Sequence, residues 1–215
     1  MRLTLIGMEG AGKSFWSERL AEHGFKRFCC DDLIEAELAS ALRQPNGGTL
    51  SMGQWMGFPF EPDYASRETR YLDLEREVLT RILETLERRH GDPEEKIVVD
   101  TTGSVIYTGE PSLERLRNET TLVYLSVPPE VRDQLLEAYI AKPHPMLWRG
   151  SFHRASHETK EAALARCYAR LVRERERLYE RIAEVTIDYH LRRAKGFTVS
   201  DLLHSVGAGG RTAQP

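Results

Sequence analysis

Gly7-Met8-Glu9-Gly10-Ala11-Gly12-Lys13-Ser14 decides the fold. The stretch matches G-x-x-x-x-G-K-S in full, follows the apolar run Arg2 to Ile6, and opens the amphipathic stretch Lys13 to His23. Strand, glycine-rich turn and helix in that order make a phosphate cradle. Successive backbone N–H groups and the helix N-terminus surround an anion, Lys13 adds a point charge, and Ser14 offers its hydroxyl to Mg²⁺. The nucleotide-binding set expected here is Gly7, Gly10, Ala11, Gly12, Lys13, Ser14 and Phe15, with Lys13 also catalytic.

Outward from this loop, strands and helices alternate. Phe25 to Cys30 is a second short apolar run ending at Asp31 and Asp32, and Leu33 to Leu42 has helical spacing. Tyr71, Leu74, Val78, Ile82 and Leu86 recur at three- and four-residue steps and predict a long helix over Arg67 to Arg89, ended near Gly91. Lys96 to Asp100 and Thr121 to Val127 are β-branched runs without polar alternation, as in parallel strands covered on both faces, and Glu184 to Tyr189 predicts a fifth strand. Between the last two lie a helix from about Pro129 to Ala141, a loop or lid from Lys142 to His157, and a long helix from about Glu158 to Ala183. The pattern implies a doubly wound α/β layer sandwich, one domain over 1–206, with Gly207 to Pro215 as a disordered tail.

The chain has 215 residues, 30 basic and 33 acidic, for a formal charge of -3, which argues against a nucleic-acid partner. A mean hydropathy of -0.47, the absence of a ~20-residue apolar span and the lack of a signal-peptide pattern at Met1 give the expectation of a cytoplasmic protein with no membrane partner. Three cysteines, two of them adjacent at Cys29 and Cys30, fit a reducing compartment and structural roles. No Asn-Lys-x-Asp follows a later strand, and motor or transporter ATPases need longer chains, so small-molecule kinases lead. The partner is then a small molecule, and a monomer or weak dimer is expected.

Several residues could hold an acceptor. Asp31 and Asp32 sit at the carboxyl edge of the second strand, where a carboxylate orients or deprotonates a hydroxyl; the alternative is an N-cap on the next helix. Arg175 falls on the same stripe of the long helix as Leu164, Tyr168, Leu171, Leu178 and Ile182, so a core position holds a guanidinium that must meet a protein carboxylate or an acidic ligand. Arg166, Arg170, Arg173, Arg177 and Arg181 interleave with glutamates as a solvated ion-pair face. Asp100 closes the third strand before Thr101-Thr102-Gly103-Ser104 and is placed to hold Mg²⁺ through water, to hydrogen-bond a substrate hydroxyl, or to form a turn. His144, Arg149 and Arg154 are candidates to close over the phosphates as an electrostatic clamp, or are ordinary loop charges. Trp55, Phe58 and Phe60 either line a pocket or pack a small core.

These residues resemble the shikimate kinase family through the loop GMEGAGKS, Phe28 to Glu35 (FCCDDLIE), Gly103-Ser104-Val105, and Arg175 to Ile187 (RERLYERIAEVTI), over about Arg2 to Tyr189. The resemblance implies a P-loop kinase fold with a five-stranded parallel sheet in the order 2-3-1-4-5, a substrate-binding helical region near 32–65 and a lid near 142–157. It implies ATP and Mg²⁺ as cofactors, Asp31 at the substrate hydroxyl, Arg175 at the substrate carboxylate, and Arg70, Thr102 and Gly103 nearby. Four positions depart from the family pattern. Cys29 replaces an acidic residue, moving the Mg²⁺ set to Ser14, Asp32 and Asp100; Thr101-Thr102-Gly103 replaces three glycines; Tyr71-Leu72 replaces Phe-Arg, with Arg70 beside it; and His144 replaces a lid arginine. The function expected is transfer of the ATP γ-phosphate to a hydroxyl of shikimate or a related anionic polyol. The alternatives are a nucleotide-binding protein of this fold without kinase activity, or a nucleoside monophosphate kinase.

Overall fold

Leu3, Leu5 and Ile6 have no exposed surface, and each such side chain contributes roughly 1.5–3 kcal/mol on burial. They anchor the strand that delivers the glycine loop. In the computed structural model, which describes residues 1–89 and 95–209, this strand is β1 (Arg2–Ile6), followed by α1 (Lys13–Glu22), β2 (Lys26–Cys29), α2 (Cys30–Leu42), α3 (Met52–Met56) and α4 (Tyr64–Glu87). Then come β3 (Ile97–Asp100), α5 (Glu110–Glu119), β4 (Thr121–Leu125), α6 (Arg132–Ala141), α7 (Lys160–Ile182), β5 (Val185–Ile187), α8 (Tyr189–Arg193) and α9 (Val199–Gly209).

The sheet is parallel throughout, five-stranded, in the order β2-β3-β1-β4-β5. Leu5 pairs with Asp100 and Ile6 with Tyr124, so β1, β3 and β4 end together and their following loops share one edge. Two hydrophobic clusters cover the two faces. One gathers Ile34, Leu38, Tyr71, Val78, Ile82, Leu171 and their neighbours; the other gathers Trp16, Leu20, Phe25, Leu202 and Val206 against the opposite side chains of the strands. This is the three-layer arrangement expected. Thr4, a polar residue on the central strand, is satisfied by the hydroxyl of Thr120 at 2.7 Å.

Several boundaries differ from expectation for local reasons. The helix expected from Leu33 begins at Cys30, with extended Cys29 as its N-cap and no side-chain cap bond, so neither Asp31 nor Asp32 performs the capping role. The helix α4 begins earlier, at Tyr64, and Gly91 lies outside the described residues. Gly207 to Gly209, expected in a tail, continue α9, while 210–215 lie outside the described residues. The long helix α7 is capped by Thr159, whose side chain accepts from Ala162 N. Its buried stripe includes Tyr179, with Leu178 only half-buried, and Arg166 and Arg170 pair with Glu158 and Glu174 on the exposed side. Among the described residues no helix is long and apolar enough to cross a membrane.

The stretch expected to be a mobile lid is seated. Met146, Leu147 and Trp148 are buried, and Tyr64 Oη donates to Met146 O (2.6 Å) while accepting from Trp148 N (2.9 Å). Glu68 accepts from Arg149 N at 2.8 Å. Phe58 stacks on Phe60 and meets Tyr139 edge-on, and Phe60 and Trp148 both contact Phe152. The aromatics of 55–60 therefore pack a small core, as one reading of the sequence held, and the lid is half of that core.

Candidate functional site

Between β1 and α1 the loop turns tightly enough that a Cβ on Gly7 would lie 2.8 Å from Leu125 O. Gly12, at φ 95, is the left-handed N-cap of α1. These two positions leave the helix N-terminus open. Lys13 is buried, and its Nζ donates to Gly7 O and Met8 O, both at 3.1 Å, which holds the ammonium across the mouth of the loop. Ser14 and Phe15 are exposed at the same end.

Arg192, which sequence reasoning missed, ties this loop to the sheet. Its guanidinium donates to Ile187 O (2.8 Å), Ala11 O (3.0 Å) and Ser126 O (2.6 Å), and burial pulls its pKa down to about 10. Beside it lies a cavity of about 440 Å³ lined by Phe15, Trp16, Arg19, Arg193 and Phe197 among others, with Trp16 edge-on to Phe197 at 5.4 Å and Arg19 over Phe15 at 4.5 Å. Aromatic faces and guanidinium planes one helical turn from a phosphate loop form a slot fit for a purine. The signal available was an Asp-capped short helix after the last strand, at Asp188.

Asp100 is almost fully buried at the end of β3. Its Oδ2 accepts from Ser17 Oγ (2.8 Å) and Arg27 Nη2 (2.9 Å), and its Oδ1 has no partner. Ser17 stands one turn along α1 from Ser14, so two of the three expected metal residues converge on one corner. Asp32 lies at the outer rim of the same corner: its side chain is 71% exposed and faces, at 3.7 Å, the Arg27 guanidinium that also pairs with Asp100. Cys29 is the neighbour of Asp100 across the sheet, and burial pushes its thiol up to about 12, which makes it an inert thiol. Among the described residues no group of three or more His, Cys, Asp or Glu is arranged to hold a metal. The orphaned Asp100 oxygen fits a magnesium ion held through phosphate and water with few protein ligands.

Asp31 lies in the first turn of α2, facing the glycine loop. Its Oδ1 accepts from Tyr71 Oη at 3.2 Å. Burial, and then the negative charge of Glu9, push its pKa up to about 7, with Lys13 acting in the other direction. A carboxylate held near neutrality beside a phosphate loop is suited to receive a proton from a hydroxyl.

Arg175 is fully buried, as its place on the α7 stripe predicts, yet it meets carbonyls rather than a carboxylate. Nη1 donates to Gly103 O (3.3 Å) and Nη2 to Leu147 O (2.7 Å); Tyr107 lies beneath the guanidinium at 5.4 Å. Gly103 also accepts from Tyr179 Oη at 2.5 Å, and a Cβ on it would lie 3.3 Å from Glu9 N. This residue is therefore the joint between the phosphate loop and Arg175. The Thr102 and Ser104 hydroxyls both donate to Glu75, a buried carboxylate not singled out from the sequence, whose pKa burial raises to about 7. Thr102 is thus spent on Glu75. Arg70 faces solvent while its neighbour Tyr71 points inward, and Arg149 and Arg154 are exposed. His144 meets Tyr139 edge-on at 5.1 Å, with its Nε2 buried.

This geometry has solved counterparts. The fold is shared with solved shikimate kinases. The shikimate kinase from Aquifex aeolicus superposes with a TM-score of 0.61 at 21% identity, covering 99% of both chains. That from Acinetobacter baumannii, in complex with shikimate, gives 0.59 at 23% identity over 95% of this chain and 89% of the other. That from Bacteroides thetaiotaomicron gives 0.56 at 16% identity over 100% and 96%. No protein-family model and no curated protein matches the chain.

Proposed function

We propose that the chain is an ATP-dependent kinase that phosphorylates a hydroxyl of shikimate or a related small hydroxylated acid, acting in the cytoplasm as a monomer or weak dimer without nucleic-acid or membrane partners. The observation that carries this reading is the joint at Gly103. It sets an open phosphate loop with Lys13 and Asp31 on one side and a buried arginine with an unpartnered Nε on the other.

ATP would supply the phosphoryl group, and Mg²⁺, held by Ser14 and Asp100, would offset its charge. The chain's own residues do the rest. The α1 N-terminus and Lys13 bind phosphate oxygens once Lys13 exchanges the Gly7 and Met8 carbonyls for them. Asp31, with Oδ1 occupied by Tyr71, takes the hydroxyl proton on Oδ2. The seated lid excludes water, which favours transfer over hydrolysis. The Phe15–Phe197 cavity takes the base.

The test is ADP release from ATP and Mg²⁺ with no acceptor, with shikimate, and with a panel of cyclitols, sugar acids and nucleoside monophosphates. Acceptor-dependent release with a hydroxylated acid is expected. ATP binding without release on any acceptor would establish the non-catalytic alternative, and release with nucleoside monophosphates alone would establish the other.

A further inference from the structure

The corner around Asp100 carries a cation that belongs to neither the phosphate loop nor the acceptor pocket. Arg27 lies on the edge strand β2, two residues before Cys29, and strand alternation turns both side chains to one face of the sheet. On that face the guanidinium reaches inward: Nε donates to Ser17 Oγ (2.7 Å) and Nη2 to Asp100 Oδ2 (2.9 Å). Ser17 Oγ donates to the same Asp100 oxygen (2.8 Å) and lies 3.0 Å from Ser14 O, so one hydroxyl joins Asp100 to the first turn of α1. Asp100 Oδ2 is therefore held twice. Oδ1, buried beside it, has no hydrogen-bond partner among the described residues.

The charges at this corner come close to cancelling. Arg27 pairs with the buried Asp100, while Glu18 and Asp32 stand farther from the guanidinium, at 3.9 and 3.7 Å, with side chains 65% and 71% exposed, where water and salt weaken their pull. Cys29, opposite Asp100 across the sheet, adds a thiol and no second carboxylate. A divalent cation with hard oxygen ligands needs a surplus of negative charge. One carboxylate already matched by a guanidinium does not offer that surplus, and a polyphosphate does.

We propose that Arg27 is a positioning residue of the metal corner: it fixes Asp100 through Oδ2, so that Oδ1 is the oxygen left for a cation, and its charge closes the corner to a free divalent ion, which enters only together with nucleotide phosphates. The proposal rests on the kinase reading for its nucleotide and goes beyond it in the residue and the order of entry. Neutralising Arg27 while keeping Asp100 should then create a cation site that needs no nucleotide, because Asp100 and Asp32 lose a shared counter-charge and the buried carboxylate is left without a partner. An arginine that served the fold alone would lower the melting temperature on removal and create no such site.

The experiment titrates Mn²⁺, read by the loss of its free-ion electron paramagnetic resonance signal, into the full chain with and without ADP. Wild type is compared with Arg27→Met, Arg27→Gln, Arg27→Lys and the double variant Arg27→Met, Asp100→Asn. Wild type is expected to take up no Mn²⁺ below about 1 mM without ADP and one ion with it. Arg27→Met should bind one ion without ADP, at least about tenfold more tightly than wild type, and its melting temperature should rise with Mn²⁺ while that of wild type does not. Arg27→Lys, which keeps the charge, should exclude the free ion as wild type does, and the double variant should lose the new site. If Arg27→Met does not fold, Arg27→Gln, neutral but with a donor left for Asp100, carries the same expectation. The proposal is overturned if wild type takes up Mn²⁺ equally with and without ADP, or none with it, if neither neutral variant gains the site, if Arg27→Lys gains it too, or if it survives Asp100→Asn. Acceptor-dependent ADP release by wild type, with neutral variants that ignore Mn²⁺, would overturn this inference and keep the kinase reading. The Mn²⁺ signature with no ADP release on any acceptor would do the reverse.

Discussion

The nucleotide end of the site is built from consecutive backbone between Gly7 and Ser14, whereas the acceptor end draws side chains from Asp31, Tyr71, Glu75, His144 and Arg175, on four separate elements. The first is open: Ser14 and Phe15 are exposed and a cavity of about 440 Å³ adjoins it. The second is closed under a lid whose Met146, Leu147 and Trp148 are almost wholly buried. An anion held by amide dipoles is bound through backbone and needs few particular side chains around it. The acceptor end is set by pairwise fits, and there one altered residue asks its neighbours to change. Thr102 and Ser104 have taken up the Glu75 carboxylate, and Leu72 is buried one turn before it on α4.

That contrast can be broken most forcefully at Lys13. Lys13→Ala should lower turnover by a factor on the order of a thousand while leaving acceptor affinity within about twofold, since the ammonium makes its hydrogen bonds within the phosphate loop. Steady-state kinetics with calorimetry on both ligands separate the two; loss of acceptor affinity in parallel would mean the ends are not independent.

Next in size is the pH response of Glu75. Its folded pKa, about 7, stands above the ordinary 4.5, so its contribution is present in acid and is lost as pH rises through 7. The linkage is worth at most roughly 3 kcal/mol, with Asp31 adding in the same direction. Thermal denaturation from pH 4.5 to 8 should show stability falling over that window, with a shallower fall in Glu75→Gln. An equal slope in the variant would remove Glu75 from the account.

Gly53→Ala comes third. The added methyl has no room against Pro143 and His144, and overpacking of this kind costs about 1–3 kcal/mol. Melting temperature should fall by several degrees, roughly 2–4 °C per kcal/mol at this chain length, and acceptor affinity should fall with it while nucleotide affinity holds. At the bottom of the scale, Arg166→Ala on the exposed face of α7 should leave melting temperature and both affinities unchanged, although Arg166 pairs with Glu158 at 2.7 Å.

The same division explains what the sequence makes readable. The glycine loop and the parallel strands are local patterns, a complete octapeptide and apolar runs without alternation, and they are found where expected. Arg175 is readable because a guanidinium on an apolar helical stripe is an anomaly in one element. The seat of the lid is not, because Tyr64 reaches Met146 across 82 residues and neither residue type advertises the other. Glu75 reads as one acid on a charged helix face until α4 turns it inward. Arg192 and Phe197 lie past the last strand, where no motif marks them. The capping role open to Asp31 fails because the helix starts at Cys30, with extended Cys29 as its N-cap, which places Asp31 inside the first turn.

The most direct test of this account compares wild type with Arg175→Leu in ADP release from ATP and Mg²⁺, with and without shikimate, together with ADP affinity by calorimetry. The account predicts shikimate-dependent release by wild type, its collapse through a weakened acceptor KM in Arg175→Leu, and ADP affinity unchanged between the two. Equal losses for nucleotide and acceptor in the variant, or release that ignores shikimate in both, would contradict it.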